Sequence, residues 1–229
     1  MTARALQRNP VITAPPAMRL VAGKKLSADD VYPRLFDAIL EQRIAPASRF
    51  TEEGLGETFG VSRSVIRRVL ARLSQQQVII LRPNQRAQVA APDTQQMRHI
   101  LEARRLMETT VVQLACTHAT TAQLRQLREL IAREREFIER DQQGPAIRLS
   151  GEFHLQLAAI AGNAPLMQFL NSLVPLTSLV IAQCPDQART QDMWQVHLAI
   201  TDAVEQRDVS RAASLMTHYL DHLANRLAR

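Results

Sequence analysis

From Phe59 to Leu70 the chain reads Phe-Gly-Val-Ser-Arg-Ser-Val-Ile-Arg-Arg-Val-Leu, a run that fits a tight turn followed by a helix. Gly60 can adopt the positive φ that ends one helix, Ser62 can cap the next, and Val65, Val69, Leu70 and Leu73 form an apolar stripe at helical spacing. Ser62, Arg63, Ser64 and Arg67 are left facing outward, with Arg68 beside them. Guanidinium forks match guanine edges and phosphate oxygens, and serine hydroxyls bond phosphates or bases. These residue types at a helix N-terminus therefore suit docking into a DNA major groove. The plain alternative is a solvated surface helix.

The distribution of charge bears on that choice. The formal net charge of +6 divides into +3 over residues 1–23, +4 over residues 24–92 and −1 over residues 93–229. All the positive excess therefore surrounds the candidate recognition helix, as expected where one domain meets phosphate and another does not. Aromatics are only 4% of the 229 residues and glycines number 7, while Ala, Leu, Arg and Gln recur throughout, which predicts a mainly α protein with an ordinary core. Cys116 and Cys184 lie far apart, so a disulfide framework is not expected and a reducing cytoplasm is the expected compartment. No continuous apolar run approaches the ~20 residues that cross a bilayer, and no membrane partner is expected.

Residues 1–23 hold Pro10, Pro15 and Pro16 without sustained periodicity and are read as a flexible arm. Residues 24–92 read as three helices and a hairpin. The first helix begins at Ala28 with Pro33 in its first turn, the second begins at Thr51, and the third is the one described above. The β-prone runs Val78–Leu81 and Ala87–Ala90 are joined by Arg82-Pro83-Asn84-Gln85-Arg86. This is a winged helix-turn-helix.

Residues 93–229 read as a six-helix bundle. Asp93 or Thr94 caps a long helix with Ile100, Ala103, Met107, Val111 and Leu114 on one face; the next carries Leu124, Leu127, Ile131 and Ile138. Gly144-Pro145 is expected to punctuate before a third helix from Ala146 to Ala161, ended by Gly162. Pro165 opens a fourth running into Cys184, closed by Pro185-Asp186. Two more run from about Asp192 to Gln206 and from Asp208 to Arg226.

The order of helix, Pro-containing connector, acidic-started helix, Gly-Val-Ser-Arg-Ser-Val-Ile-Arg and Arg-Pro-Asn wing resembles the GntR family of bacterial transcriptional regulators, over roughly Lys25 to Pro92. The resemblance implies that Arg63 and Arg67 reach bases or phosphates, that Ser62 and Ser64 bond the backbone, and that Arg82, Asn84 and Arg86 enter the minor groove with the wing. The chain departs from the family at Glu53, where a basic residue is usual, and at Gln85 and Arg86, near which a wing-tip glycine is usual. Leu101-Glu102-Ala103-Arg104-Arg105-Leu106-Met107-Glu108, Glu152-Phe153-His154 with Ala161-Gly162-Asn163, and His197 to Ile200 followed by Asp208 and Ala212 are similar to the FCD effector domain of the FadR branch.

Many FCD-type domains chelate a divalent metal such as zinc or nickel through an Asp four residues before a His and two later His. Here His154 and His197 keep register, but Ser150 and Tyr219 stand at the other two places, and His218 lies one residue off. The competing reading is that His154, His197 and Tyr219 line a cavity and bond an organic effector, with Arg104 or Arg105 for a carboxylate. Buried histidines satisfied by backbone carbonyls are the third.

The expected function is a homodimeric, ligand-responsive regulator of transcription, a repressor of genes behind a palindromic operator, modulated by a small metabolite such as an organic acid and requiring no cofactor. A constitutive DNA-binding protein with a purely dimerising bundle is the alternative. An enzyme is disfavoured: the sequence shows no carboxylate beside His154 or His197, no nucleophile elbow and no phosphate-cradling glycine loop.

Overall fold

A computed structural model of the chain describes residues 26–183 and 193–227. The arm, Cys184, Pro185-Asp186 and Asp192 lie outside the described residues. Helix α1 spans Ala28–Leu40 and starts in a capping box: the Ser27 hydroxyl accepts from the Asp30 N–H, and the Asp30 carboxylate accepts from the Ser27 N–H. Pro33 falls in the second turn rather than the first, at the cost of one helical hydrogen bond. Val31, Leu35, Phe36 and Ile39 turn inward.

Strand β1 (Arg49–Phe50), α2 (Glu52–Phe59), α3 (Arg63–Gln75), β2 (Ile79–Ile80) and β3 (Ala87–Val89) complete the first domain. Gly60, at φ 65°, closes α2 as its sequence position implied. Ser62 sits at the cap of α3, but its hydroxyl lies 2.9 Å from that of Ser64 instead of bonding the helix backbone. The hairpin is present and gains a strand, since the antiparallel sheet runs β1-β3-β2 with Arg49 opposite Gln88 and Ile79 opposite Val89. Two residues are too few to show a strand period in sequence. At the wing tip the Gln85 N–H donates to the Arg82 carbonyl, and Asn84 takes the left-handed conformation (φ 57°), which asparagine tolerates better than most residues. Asn84 thereby does what a wing-tip glycine would do.

The second domain comprises α4 (Thr94–His118), α5 (Thr121–Glu139), α6 (Gln143–Ala161), α7 (Ala164–Ile181), α8 (Met193–Glu205) and α9 (Val209–Leu227), six helices among the described residues. Asp93 caps α4 in a second capping box with Gln96. Gly144-Pro145 does not precede α6 but lies in its first turn, where a proline's missing N–H would have had no helical partner. Helix α7 is uncharged and 18 residues long, enough by length and composition to cross a membrane; here it packs on α6 and α4 with Leu170, Val174 and Leu179 buried.

The inward face of α4 is not the one its apolar residues mark. Met97, Leu101, Arg104, Glu108, Val111 and Ala115 are buried, whereas Ile100, Met107 and Leu114 are only partly so. The stripe is rotated by about one residue because two of its members are charged, and apolar periodicity counts a charged residue as outward-facing.

The two domains share a core. Ile147 of α6 and Leu176, Leu179 and Ala182 at the end of α7 join the apolar cluster of the first domain. Helix α1 lies against α6, where the Arg148 guanidinium donates to the Asp37 carboxylate (2.7 and 3.4 Å) and to Glu152 (2.9 Å). The Gln42 amide reaches the Ala182 carbonyl. Gly144 permits the close approach: a Cβ there would stand 2.6 Å from Glu41 Cγ and 3.0 Å from the Asp37 carbonyl oxygen. Burial pushes the Asp37 carboxyl up, and Arg148 pulls the other way. Arg148→Ala, which strands that carboxylate, is expected to cost about 3 kcal/mol in urea denaturation; an unchanged midpoint would show that the docking does not depend on the pair.

Candidate nucleic-acid interface and a buried polar cluster

Ser62, Arg63, Ser64, Arg67 and Arg68 are all exposed on the first turns of α3, because Val65, Ile66, Val69 and Leu70 of the same helix are held in the core. Arg82, Asn84 and Arg86 are exposed on the wing. The wing and recognition helix face one open cleft, which Glu52, Glu53, Arg63, Asn84 and Arg86 line. The eight residues read from sequence thus divide between two neighbouring elements on one side of the domain. Sequence reasoning did not anticipate that two of the arginines carry carboxylates: Arg63 is ion-paired with Glu53, and Arg67 donates through Nε (3.1 Å) and Nη2 (2.9 Å) to Glu52. The hydrogen bonds from Arg67 outweigh desolvation and hold Glu52 below the usual carboxylate range.

The second site lies inside the bundle. Arg104 and Glu108 of α4, Glu134 of α5, His154 of α6, His197 of α8 and Tyr219 of α9 are all buried. Arg104 Nε donates to Glu108 Oε1 at 2.6 Å, and the other oxygen of Glu108 lies 2.5 Å from His154 Nδ1 without hydrogen-bond alignment. His197 Nδ1 bonds Glu134 at 2.9 Å, and the His197 ring stacks on Phe153 with centroids 4.2 Å apart. Tyr219 completes the group, 4.9 Å from the His154 ring and 5.4 Å from that of His197, and hydrogen-bonds Ser150.

The expectation that neither histidine has a carboxylate beside it is therefore wrong. Glu108 and Glu134 come from other helices, 46 and 63 residues away in sequence. Glu108 lies seven and four residues after Leu101 and Arg104, and Glu134 seven and three after Leu127 and Ile131, so each shares the inward face of its helix, which was the available signal. Arg105, expected at the effector site, does not join the cluster. It points away from the cluster and ties α4 to α9 through Asp221 at 2.7 Å, half exposed. His218 is exposed on α9, about 100° of helical turn from Tyr219, and does not join His154 and His197.

These residues do not suit a divalent metal. Burial pushes the Tyr219 phenol up to about 12 against the pull of Arg104 and Ser150, so it stays a neutral hydroxyl, and Ser150 offers no anionic oxygen. The Arg104 guanidinium adds a fixed positive charge, and no group of three or more His, Cys, Asp or Glu with metal-binding placement occurs among the described residues. What the cluster offers instead is unfilled hydrogen-bonding capacity: Arg104 Nη2, His154 Nε2 and His197 Nε2 are buried without a hydrogen-bond partner among the described residues. A small cavity of about 20 Å³, room for roughly one water molecule, reaches the cluster at Glu134, Ser150 and Tyr219 and is otherwise lined largely by apolar side chains, including Ile147, Met193 and Leu223.

Residues 27–89 match the gntR family of bacterial regulatory proteins, and residues 99–222 match the FCD domain. The chain belongs to the GntR family of regulators and carries an FCD domain. It is a DNA-binding regulator of transcription, not an enzyme. It is similar to the Uxu operon regulator of Haemophilus influenzae (25% identity over 194 residues, covering 77% of this chain and 72% of that protein). It is also similar to the transcriptional repressor RspR of Escherichia coli K12 (26% identity, 85% and 86% covered). The fold matches that of E. coli McbR/YncC, with a TM-score of 0.71 at 18% identity over 87% of this chain and 96% of that one. A GntR regulator from Rhodococcus sp. RHA1 matches at 0.69, with 19% identity over 87% and 96%.

Two groups in the cluster make stability depend on pH. Burial alone would raise the Glu108 carboxyl, but Arg104 and His154 outweigh it and bring it to about 2, from an ordinary 4.5. Burial lowers the His154 pKa from 6.5, against the pull of Glu108. In both cases the unfolded chain binds the proton more readily. The His154 contribution is complete above pH 6.5 and falls away below it; the Glu108 contribution is complete above 4.5 and is lost toward 2. The melting temperature is therefore expected to drop between pH 7.5 and 5 and to fall more steeply below 4.5. Glu108→Gln, which leaves Arg104 buried and unpaired, should cost about 3 to 5 kcal/mol at neutral pH and flatten the acid limb. A pH-independent melting temperature would refute this account.

Proposed function

We propose that the chain is a ligand-responsive repressor which binds a palindromic operator as a homodimer in the cytoplasm. The observation that carries the responsive part is the double use of α6. Ala146, Ile147 and Ser150 line the cavity beside the polar cluster, while Gly144 and Arg148 of the same two turns hold α1 of the DNA-binding domain. A ligand that displaced α6 relative to α4 would move the surface on which the recognition helix is mounted, and one that prefers that arrangement shifts the DNA-binding equilibrium.

The chemistry of the cluster favours a small organic acid bearing hydroxyl groups. Arg104 Nη2 is a charged donor for a carboxylate, and the Nε2 atoms of His154 and His197, whose Nδ1 atoms face carboxylates, are acceptors for hydroxyls. No metal is required for this recognition. Dimerisation is supported by Leu106 on α4 and Phe169 on α7, which are 72% and 59% exposed on packed helices. Large apolar side chains so displayed suit a two-fold contact with a second copy. Two relatives are named for repression, RspR and the NanR protein of Salmonella newport, which favours that sign of regulation.

The test is fluorescence anisotropy on a duplex enriched from a random pool by the protein itself. The enriched sequence should be two-fold symmetric, and binding should weaken steeply with salt. Arg63→Ala should cost about 1 to 3 kcal/mol on it, and a hydroxy acid that raises the melting temperature should release the duplex. An Arg63→Ala variant with undiminished affinity would remove the central residue of the proposal.

A further inference from the structure

We propose that Glu53 is a specificity-determining residue of the DNA interface, a carboxylate that makes Arg63 discriminate between a base edge and a bare phosphate. The inference rests on the reading that α3 faces DNA. Glu52 and Glu53 occupy the first turn of α2, where the Thr51 side chain accepts from the Gly54 N–H and the helix dipole favours negative charge. Both carboxylates reach across to the start of α3, but they hold their arginines differently. Glu52 takes Nε and Nη2 of Arg67 together, which uses one of the two edges that could fork a guanine or a phosphate. Glu53 takes a single donor of Arg63, at Nη2, leaving four of its five N–H groups for an outside acceptor.

The Arg63–Glu53 pair is 62% and 63% exposed, and a pair so exposed contributes little to fold stability. Its consequence lies in docking. Wherever the Arg63 guanidinium is placed on a double helix, the Glu53 carboxylate lies next to it. Against a phosphate, the carboxylate meets like charge at short range, and closing the interface removes the water that screens it. Against a guanine, Arg63 finds neutral acceptors at O6 and N7, and Glu53 can accept from the N4 amino group of a neighbouring cytosine. The pair therefore weakens sequence-independent attachment more than it weakens docking on a site with G·C at that position.

The experiment compares the wild type, Glu53→Gln and Glu57→Gln, a neighbouring exposed carboxylate of α2. Each is measured by anisotropy at about 150 mM salt on the wild-type-enriched duplex and on the unselected random pool. Glu53→Gln is expected to lower the ratio of specific to random affinity about tenfold, chiefly by tightening the random pool, and to lose the G·C preference at one position of a repeated selection. Glu57→Gln should move both duplexes together. An unchanged ratio in Glu53→Gln, or equal weakening on both duplexes, would overturn the inference. If the wild type enriched no sequence at all, the regulatory reading itself would fail, which is a different result.

Discussion

An ionised carboxylate in the middle of a helical bundle constrains everything around it. Glu108 is shielded from water on α4 and is tolerable there because Arg104, one turn earlier, donates to one oxygen and the His154 ring of α6 faces the other. Removing a charge from water costs several kcal/mol unless partners surround it, so the positions of α4 and α6 are tied to each other more tightly than apolar packing alone would require. A second carboxylate, Glu134, holds His197, whose ring lies against Phe153. The bundle core is thus polar at its centre, and the apolar residues form a shell about it.

From that centre the constraint runs outward along α6. The helix carries His154 and Ser150 inward and Arg148 toward the DNA-binding domain, where Asp37 of α1 and the closeness allowed by Gly144 complete the docking. The buried polar cluster and the docking of the DNA-binding domain meet in one helix, separated by about one turn. At the far end, the N-terminal turns of α3 present arginines already engaged by α2 carboxylates, so this candidate interface is a balanced set of charges rather than a simple cationic patch.

Much of this was legible in sequence because local rules are short-ranged. Gly60 and Gly162 end helices at positive φ, Asp93 caps α4, and the apolar stripe of α3 faces the core. The exposed face of α3 followed from the same periodicity, and the wing from the β-prone runs on either side of it and the resemblance to the GntR family. Strand β1 was missed because two residues carry no period, and Gly144-Pro145 was misread because the pair is as acceptable in a first helical turn as in a loop. Of the residues assigned to the effector site, Arg104, His154, His197 and Tyr219 come together, whereas Arg105 lies with Asp221 on the surface.

The amino-acid order alone determined the helices, their caps, the recognition turn and the division of charge between the two domains, since each depends on neighbours within a few residues. Only the tertiary structure decided which charged side chains are buried. Helical spacing puts Arg104, Glu108 and Glu134 on the inward faces of their helices, but their charge reads as solvated, and they are drawn inside because partners on α6 and α8, 46 and 63 residues from the two glutamates, compensate the cost of leaving water. Compensation between charges is a property of distance in space, which no window along the chain contains.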